Sequence, residues 1–176
     1  MKREISTEFL PCKDFLVIKG YMSWREIAPG ERDEWERKYG FPDKSLIERL
    51  KTKSGANEVY GLFCNSCRKD AQFDWVCGDD FACENVSNCQ AGEGFEIVRL
   101  APSEYCKIVC TYGDEMTGEK AAKEADEFFW NEWLKNSPYG SKIEGEYSNS
   151  PETADITLYD EESHRVIAWH PIIRNK

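Results

Sequence analysis

The residues in this chain whose type and spacing could do chemistry are first of all its thiols. Cys64-Asn-Ser-Cys67 has the spacing of a metal knuckle or a redox pair, and Cys83 and Cys89 follow it. Four thiolates brought together could close a tetrahedral zinc site. A structural zinc site usually presents a second close pair, whereas five residues separate Cys83 from Cys89. Cys64, Cys67, Cys83 and Cys89 are therefore a weak zinc set, and no metal is expected. A redox pair needs a helix N-terminus to lower one thiol's pKa, and Cys64 and Cys67 fall in a predicted hairpin instead. Cys106 and Cys110 share one face of a predicted strand and read as small buried hydrophobes.

The two histidines add little. His164 falls in an acidic turn, and His170 precedes Pro171 in a predicted strand. No Ser or Cys is visibly paired with either, so nucleophilic catalysis has little support. General acid–base chemistry would need a buried carboxyl with a raised pKa. Glu146, Asp126 and Asp74 are the available candidates, and none stands at a diagnostic position. No cofactor is implied.

Charge narrows the partners. The 176 residues carry a net charge of −10 at a sequence pI near 4.8. Nucleic-acid binding needs a basic footprint, and here Lys and Arg are scattered while Glu31–Glu36 and Asp160–Glu162 would repel phosphate. Direct nucleic-acid binding is therefore not expected. Nor is a membrane partner, because no run approaches the roughly 20 apolar residues of a spanning helix. Met1-Lys2-Arg3 leads into Glu, Ser and Thr rather than an apolar stretch, so a cytoplasmic location with reduced thiols is the expectation.

The elements that must position these groups occur twice. Phe15–Met22 reads as a strand, Pro42–Lys53 as a helix, and Glu58–Cys64 with Gln72–Gly78 as a hairpin. Phe95–Thr111 then reads as a strand interrupted at Pro102, Thr117–Lys135 as a helix, and Ile156–Asp160 with Val166–Ile173 as a second strand pair. The second helix carries Ala121, Ala125, Phe128, Phe129 and Trp133 at spacings of three and four, an amphipathic stripe. Trp24–Gly40 reads as a charged loop anchored by Trp35. Residues 79–94 read as a polar, irregular link between two pseudo-repeats, about 10–80 and 94–174, of a single domain. Such β-α-β-β units pair into one curved antiparallel sheet with both helices on one face, an α+β fold with a groove between the halves.

The second half carries a family resemblance. Trp130-Asn-Glu-Trp-Leu134, Ser137-Pro-Tyr-Gly140, Ile156-Thr-Leu-Tyr-Asp160 and Ile167-Ala-Trp-His-Pro-Ile172 follow one another in order. Val59-Tyr-Gly-Leu62, Phe73-Asp-Trp-Val-Cys-Gly78 and Tyr105-Cys-Lys-Ile-Val109 agree. Together, over roughly residues 10 to 174, they resemble the GyrI-like domain, the effector-binding domain of AraC- and MerR-type drug-sensing regulators, with its SOUL/SHS2-like duplicated fold. The resemblance implies a groove on a pseudo-twofold axis, lined by aromatics and often helped by a buried acid, for lipophilic and frequently cationic ligands. Many family members place that acid where this chain has Thr157; Glu146 is the nearby substitute. The regulators also carry a DNA-binding module, and this chain resembles the binding domain in stand-alone form.

On that resemblance the ligand-binding candidates are Tyr60, Phe73, Trp75, Tyr105, Trp130, Glu146, Tyr159 and Trp169. Phe129 and Trp133 are assigned to core. Each aromatic could equally be ordinary helix–sheet packing, since periodicity alone cannot choose between the faces of a sheet. The primary functional expectation is a binding module for a small lipophilic molecule, used in sensing or sequestration. The alternatives are a hydrolase of reactive cyclopropane-bearing compounds using a groove carboxylate, and an acidic protein that binds a protein partner such as gyrase.

Overall fold

The computed structural model describes residues 1–18, 22–23, 30, 44–63, 68–70, 74–77, 80–142 and 154–175, with backbone alone at 22–23, 68–70 and 74–77. Expectations for the Trp24–Gly40 loop fall outside the described residues, Gly30 excepted. The first half contains β1 (Lys2–Leu10), β2 (Lys13–Ile18), β3 (Met22–Ser23), α1 (Lys44–Ser54), β4 (Tyr60–Phe63), β5 (Arg68–Asp70), β6 (Asp74–Cys77) and β7 (Asp80–Glu84). The second contains β8 (Glu96–Leu100), β9 (Ser103–Thr111), α2 (Gly118–Phe128), β10 (Tyr139–Ser141), β11 (Asp155–Asp160) and β12 (Arg165–Arg174). Beyond α2 the helix continues as a π turn, Phe129–Trp133, and a last turn, Leu134–Asn136.

One antiparallel sheet runs in the order β1-β9-β12-β11-β4-β7-β2-β8, with β10 added beside β12. Exchanging the two halves reverses this order and leaves it otherwise unchanged, so the duplication is real and its axis passes between β11 and β4. Each half is preceded by one further strand, and that strand crosses to the other half: β1 pairs with β9, and β8 with β2. The register is continuous across the crossing, with Leu10 opposite Ser103 on one side and Lys13 opposite Leu100 on the other. β1–β2 and β8–β9 are thus two long strands paired as a single ribbon. It bends where Pro11 and Pro102, which have no backbone N–H, interrupt the ladder.

That bend dictates the curvature of the sheet. In a flat sheet β1 and β2 would lie roughly 30 Å apart at 4.8 Å per strand. Two intervening residues, Pro11 and Cys12, can span only about 11 Å. The sheet must therefore curl until its ends meet at the ribbon.

Curling gives its two faces different contents. Both helices cover the convex face. α1 sets Leu46, Ile47 and Leu50 on Leu16, Ile18 and Cys83, and α2 with its π turn sets Ala121, Ala125 and Phe129 on Cys106, Ile108, Cys110 and Ile172. Thr117 caps α2 by accepting from the Lys120 N–H, and Gly55 ends α1 at φ +77°. The concave face carries a separate core that includes Phe15, Val17, Leu62, Ala82, Tyr105, Ile156, Ile167 and Trp169.

Three expectations are corrected. β4 pairs not with 72–78 but with β7, which lies in the stretch read as an irregular link. β6 joins β3 and β5 in a small separate sheet instead. β1 was not anticipated; it is mostly exposed and held by its ladder with β9.

Phe129 is fully buried and stacks on His170 at 4.1 Å between centroids. Phe129→Ala should therefore cost about 3–5 kcal/mol and lower Tm by roughly 10 °C. Phe9→Ala, at a ring 66% exposed, should change stability by less than about 0.5 kcal/mol. Calorimetry on the two variants checks the contrast.

Candidate ligand-binding site

The inside of the ribbon's bend opens into a small, partly open cavity. Its wall is built from both halves of the curled sheet. Leu10, Pro11, Lys13 and Phe15 come from the first ribbon strand, Leu100, Ala101 and Tyr105 from the second, and Tyr60, Ile156 and Trp169 from the central strands. The wall is mostly apolar and aromatic, the lining that sites for small organic molecules share.

The aromatic rings form a connected wall. Phe15 meets Tyr60 edge to face at 5.6 Å, and Tyr60 meets Trp169 at 6.4 Å with the planes tilted by 53°. Tyr105 is almost completely buried behind them. The Tyr60 hydroxyl donates to a Glu58 carboxylate oxygen at 2.6 Å. Burial first, and then that carboxylate, push the Tyr60 hydroxyl above its ordinary pKa, so it stays a donor.

Charge enters from two sides. Lys13 pairs with Glu84 at 2.8 Å. Across the cavity, the Trp169 indole N–H donates to Glu8 Oε1, and Lys107 Nζ lies 3.4 Å from Glu8 Oε2. The same ammonium sits 5.4 Å from the centroid of the Trp169 ring. The register explains the grouping: Lys107 stands opposite Trp169, Glu8 opposite Tyr105, and all four share the concave face.

Among the sequence candidates, the structure brings Tyr60, Tyr105 and Trp169 together in the cavity wall. Trp130 lies on the convex face, edge-on to Phe129 at 5.0 Å. Tyr159 is there too, opposite Val166 in register and beside Gly118. Only the backbone of Trp75 is described, in β6 of the small sheet. Phe73, Glu146, Cys64 and Cys67 lie outside the described residues. Cys83 is buried under α1, where desolvation raises its thiol pKa, and the Cys89 thiol donates to the Lys53 carbonyl.

Of the acids proposed for catalysis, Glu146 lies outside the described residues and Asp126 is not in this wall. Asp74 is described by backbone alone. Asp126 is on the convex face, 3.9 Å from His170 Nδ1; burial pushes its carboxyl up, against the pull of that histidine. His170 itself is buried, with Nδ1 3.0 Å from Asp155.

Sequence reasoning missed Glu8, Lys13, Phe15, Leu100, Lys107 and the two corners as parts of the site. The signal that could have found them is the internal match of Leu10-Pro-Cys-Lys13 to Leu100-Ala-Pro-Ser103. It also missed Asp80, fully buried opposite Leu62 on the concave face.

No family model and no curated protein sequence matches this chain. Solved structures do. SAV2435, solved bound to tetraphenylphosphonium, matches with a TM-score of 0.58 at 16% identity over 97% of this chain and 94% of that one. The C-terminal domain of EcmrR matches with a TM-score of 0.54 at 7% identity over 99% of both chains. An integron cassette protein from Vibrio cholerae matches with a TM-score of 0.52 at 14% identity, over 96% of this chain and 95% of that one. At these identities the likeness is one of fold alone, and it is consistent with the GyrI-like fold that the sequence resembles.

Because the folded pKa of Tyr60 is raised, its contribution to stability is fully present below the ordinary value of 10.0 and declines as pH rises above it. Tyr60→Phe should therefore lose less stability than the native chain between about pH 10 and 12. Urea unfolding across that range, read by fluorescence, checks the difference in slope.

Proposed function

We propose that this chain binds small lipophilic molecules in the cavity under the ribbon bend, and serves as a sensing or sequestration domain in the cytoplasm. The observation that carries this reading is the wall itself. Phe15, Tyr60, Tyr105 and Trp169 converge from both repeats on a partly open, mostly apolar space, with few polar groups to fix orientation. The shared fold with SAV2435, a protein solved with a lipophilic ligand, supports it. Among the described residues no helix is long and apolar enough to cross a membrane.

The chemistry available in the wall is recognition rather than turnover. Aromatic faces and edges grip flat or phenyl-bearing ligands by dispersion and apolar burial. The Tyr60 hydroxyl is already committed to Glu58, so it orients the ring more than it reacts. Among the described carboxylates next to the wall, Glu8 and Glu84 each have a lysine beside them, and the exposed Glu58 holds the Tyr60 hydroxyl. None of the three is a desolvated free acid of the kind that activates water.

Titration with neutral and cationic aromatic compounds should quench tryptophan fluorescence saturably in the micromolar range. In Trp169→Phe most of that quenching should vanish, because Trp169 is the indole in the wall among the described residues. Tyr60→Ala should weaken binding by about 1–3 kcal/mol while circular dichroism stays unchanged. A panel that leaves the native fluorescence flat, or a Tyr60→Ala variant of undiminished affinity, would remove the cavity as the site.

A further inference from the structure

We propose that Lys107 is a resident cation beside this cavity, held against the Trp169 ring of its wall, and that the ligand class the site selects is uncharged aromatic molecules rather than lipophilic cations. The inference deepens the ligand-binding reading of the same cavity and rests on it.

The wall has two features that would capture a cation, and one side chain already uses both. A cation gains from the face of a tryptophan and from a carboxylate in a partly dry setting. Here the Trp169 ring has the Lys107 ammonium 5.4 Å from its centroid. Glu8, oriented by the Trp169 indole N–H, has the same ammonium 3.4 Å from its other oxygen. Both charged side chains are about two-thirds buried, at 27% and 32% exposure. A ligand cation entering beside Trp169 would meet a neutralised carboxylate and a like charge. On the other side, Lys13 is likewise matched to Glu84.

The duplicated fold supplies an internal control. The ribbon matches Lys13 with Ser103 and Leu10 with Leu100 across the two halves. It therefore places Val17 where the other half has Lys107, and Val98 where the other half has Glu8. Val17 and Val98 are buried core residues. The architecture thus fills these two places with apolar side chains where only packing is required. The charged pair occurs on one wall alone, beside the tryptophan.

Methyltriphenylphosphonium and triphenylphosphine oxide present the same three phenyl rings, one charged and one neutral, and serve as matched probes for calorimetry on the full chain. The native protein should bind the oxide, and bind the phosphonium about tenfold or more weakly. Lys107→Met keeps the apolar stem and removes the charge. It should raise phosphonium affinity about tenfold while changing oxide affinity less than about threefold, since tenfold corresponds to 1.4 kcal/mol. Adding Glu8→Gln to Lys107→Met should abolish that gain. Native protein that binds both probes equally, or prefers the phosphonium, overturns the proposal with the binding site intact, and needs no variant to do so. A Lys107→Met variant that shifts both affinities alike also overturns it. Absence of oxide binding in the native chain overturns the ligand-binding reading itself, and this proposal with it.

Discussion

The rest of the structure depends on one constraint: two paired strands must turn a corner without losing register. Leu10 opposite Ser103 and Lys13 opposite Leu100 show that no residue is gained or lost across the bend. Pro11 and Pro102 fall at that bend and cannot donate to the ladder, so the break in hydrogen bonding falls where the chain must change direction. Because the ribbon's two ends join opposite ends of one sheet, the sheet has to curl. Curling separates a convex face, which α1 and α2 cover, from a concave face that neither of these helices reaches. The cavity is the space left at the inside of the corner, where converging strands cannot be filled as closely as a flat packing layer.

This arrangement accounts for what the sequence made legible. α2 was readable because its stripe of Ala121, Ala125, Phe129 and Trp133 has to meet a sheet face, and helical period reports that directly. β12 was readable because a strand buried on both faces carries a continuous apolar run, and β11 because Ile156 and Leu158 alternate with more exposed neighbours. β1 was not readable for the converse reason. An edge strand, mostly exposed, takes its stability from hydrogen bonds to β9, and Lys2-Arg-Glu-Ile-Ser-Thr-Glu-Phe-Leu10 carries little burial signal. β7 was hidden in another way. Asp80-Phe-Ala-Cys-Glu84 is short, and it buries the small Ala82 and Cys83 between polar neighbours. The family resemblance pointed to the preceding aromatic stretch as the hairpin partner, and that stretch belongs to a different sheet.

The site divided along the same line. Tyr60, Tyr105 and Trp169 could be named from the aromatic pattern, but so could Trp130 and Tyr159, which lie on the other face. Alternation states that two residues share a face and never which face is concave. That choice is made by the ribbon, whose register is a non-local property. Glu8 and Lys107 were missed for the same reason: apart from the internal match of the two corners, nothing in the sequence brings the first strand beside the ninth.

Electrostatics then gives the two otherwise equivalent halves different roles. A partly exposed ion pair such as Lys107–Glu8 contributes about 0–1 kcal/mol to stability, less than apolar packing at the same two places could supply. Stability alone is therefore a poor reason for charging one wall of the concave core while its counterpart keeps Val17 and Val98. The pair is better understood through what it does to the space beside it. An acid tied to an indole and covered by an ammonium no longer attracts positive charge, yet the ring edges and faces of Phe15, Tyr60 and Trp169 remain available to an apolar guest. A fold that presents aromatic rings to whatever enters its groove gains selectivity by deciding which charge is already inside.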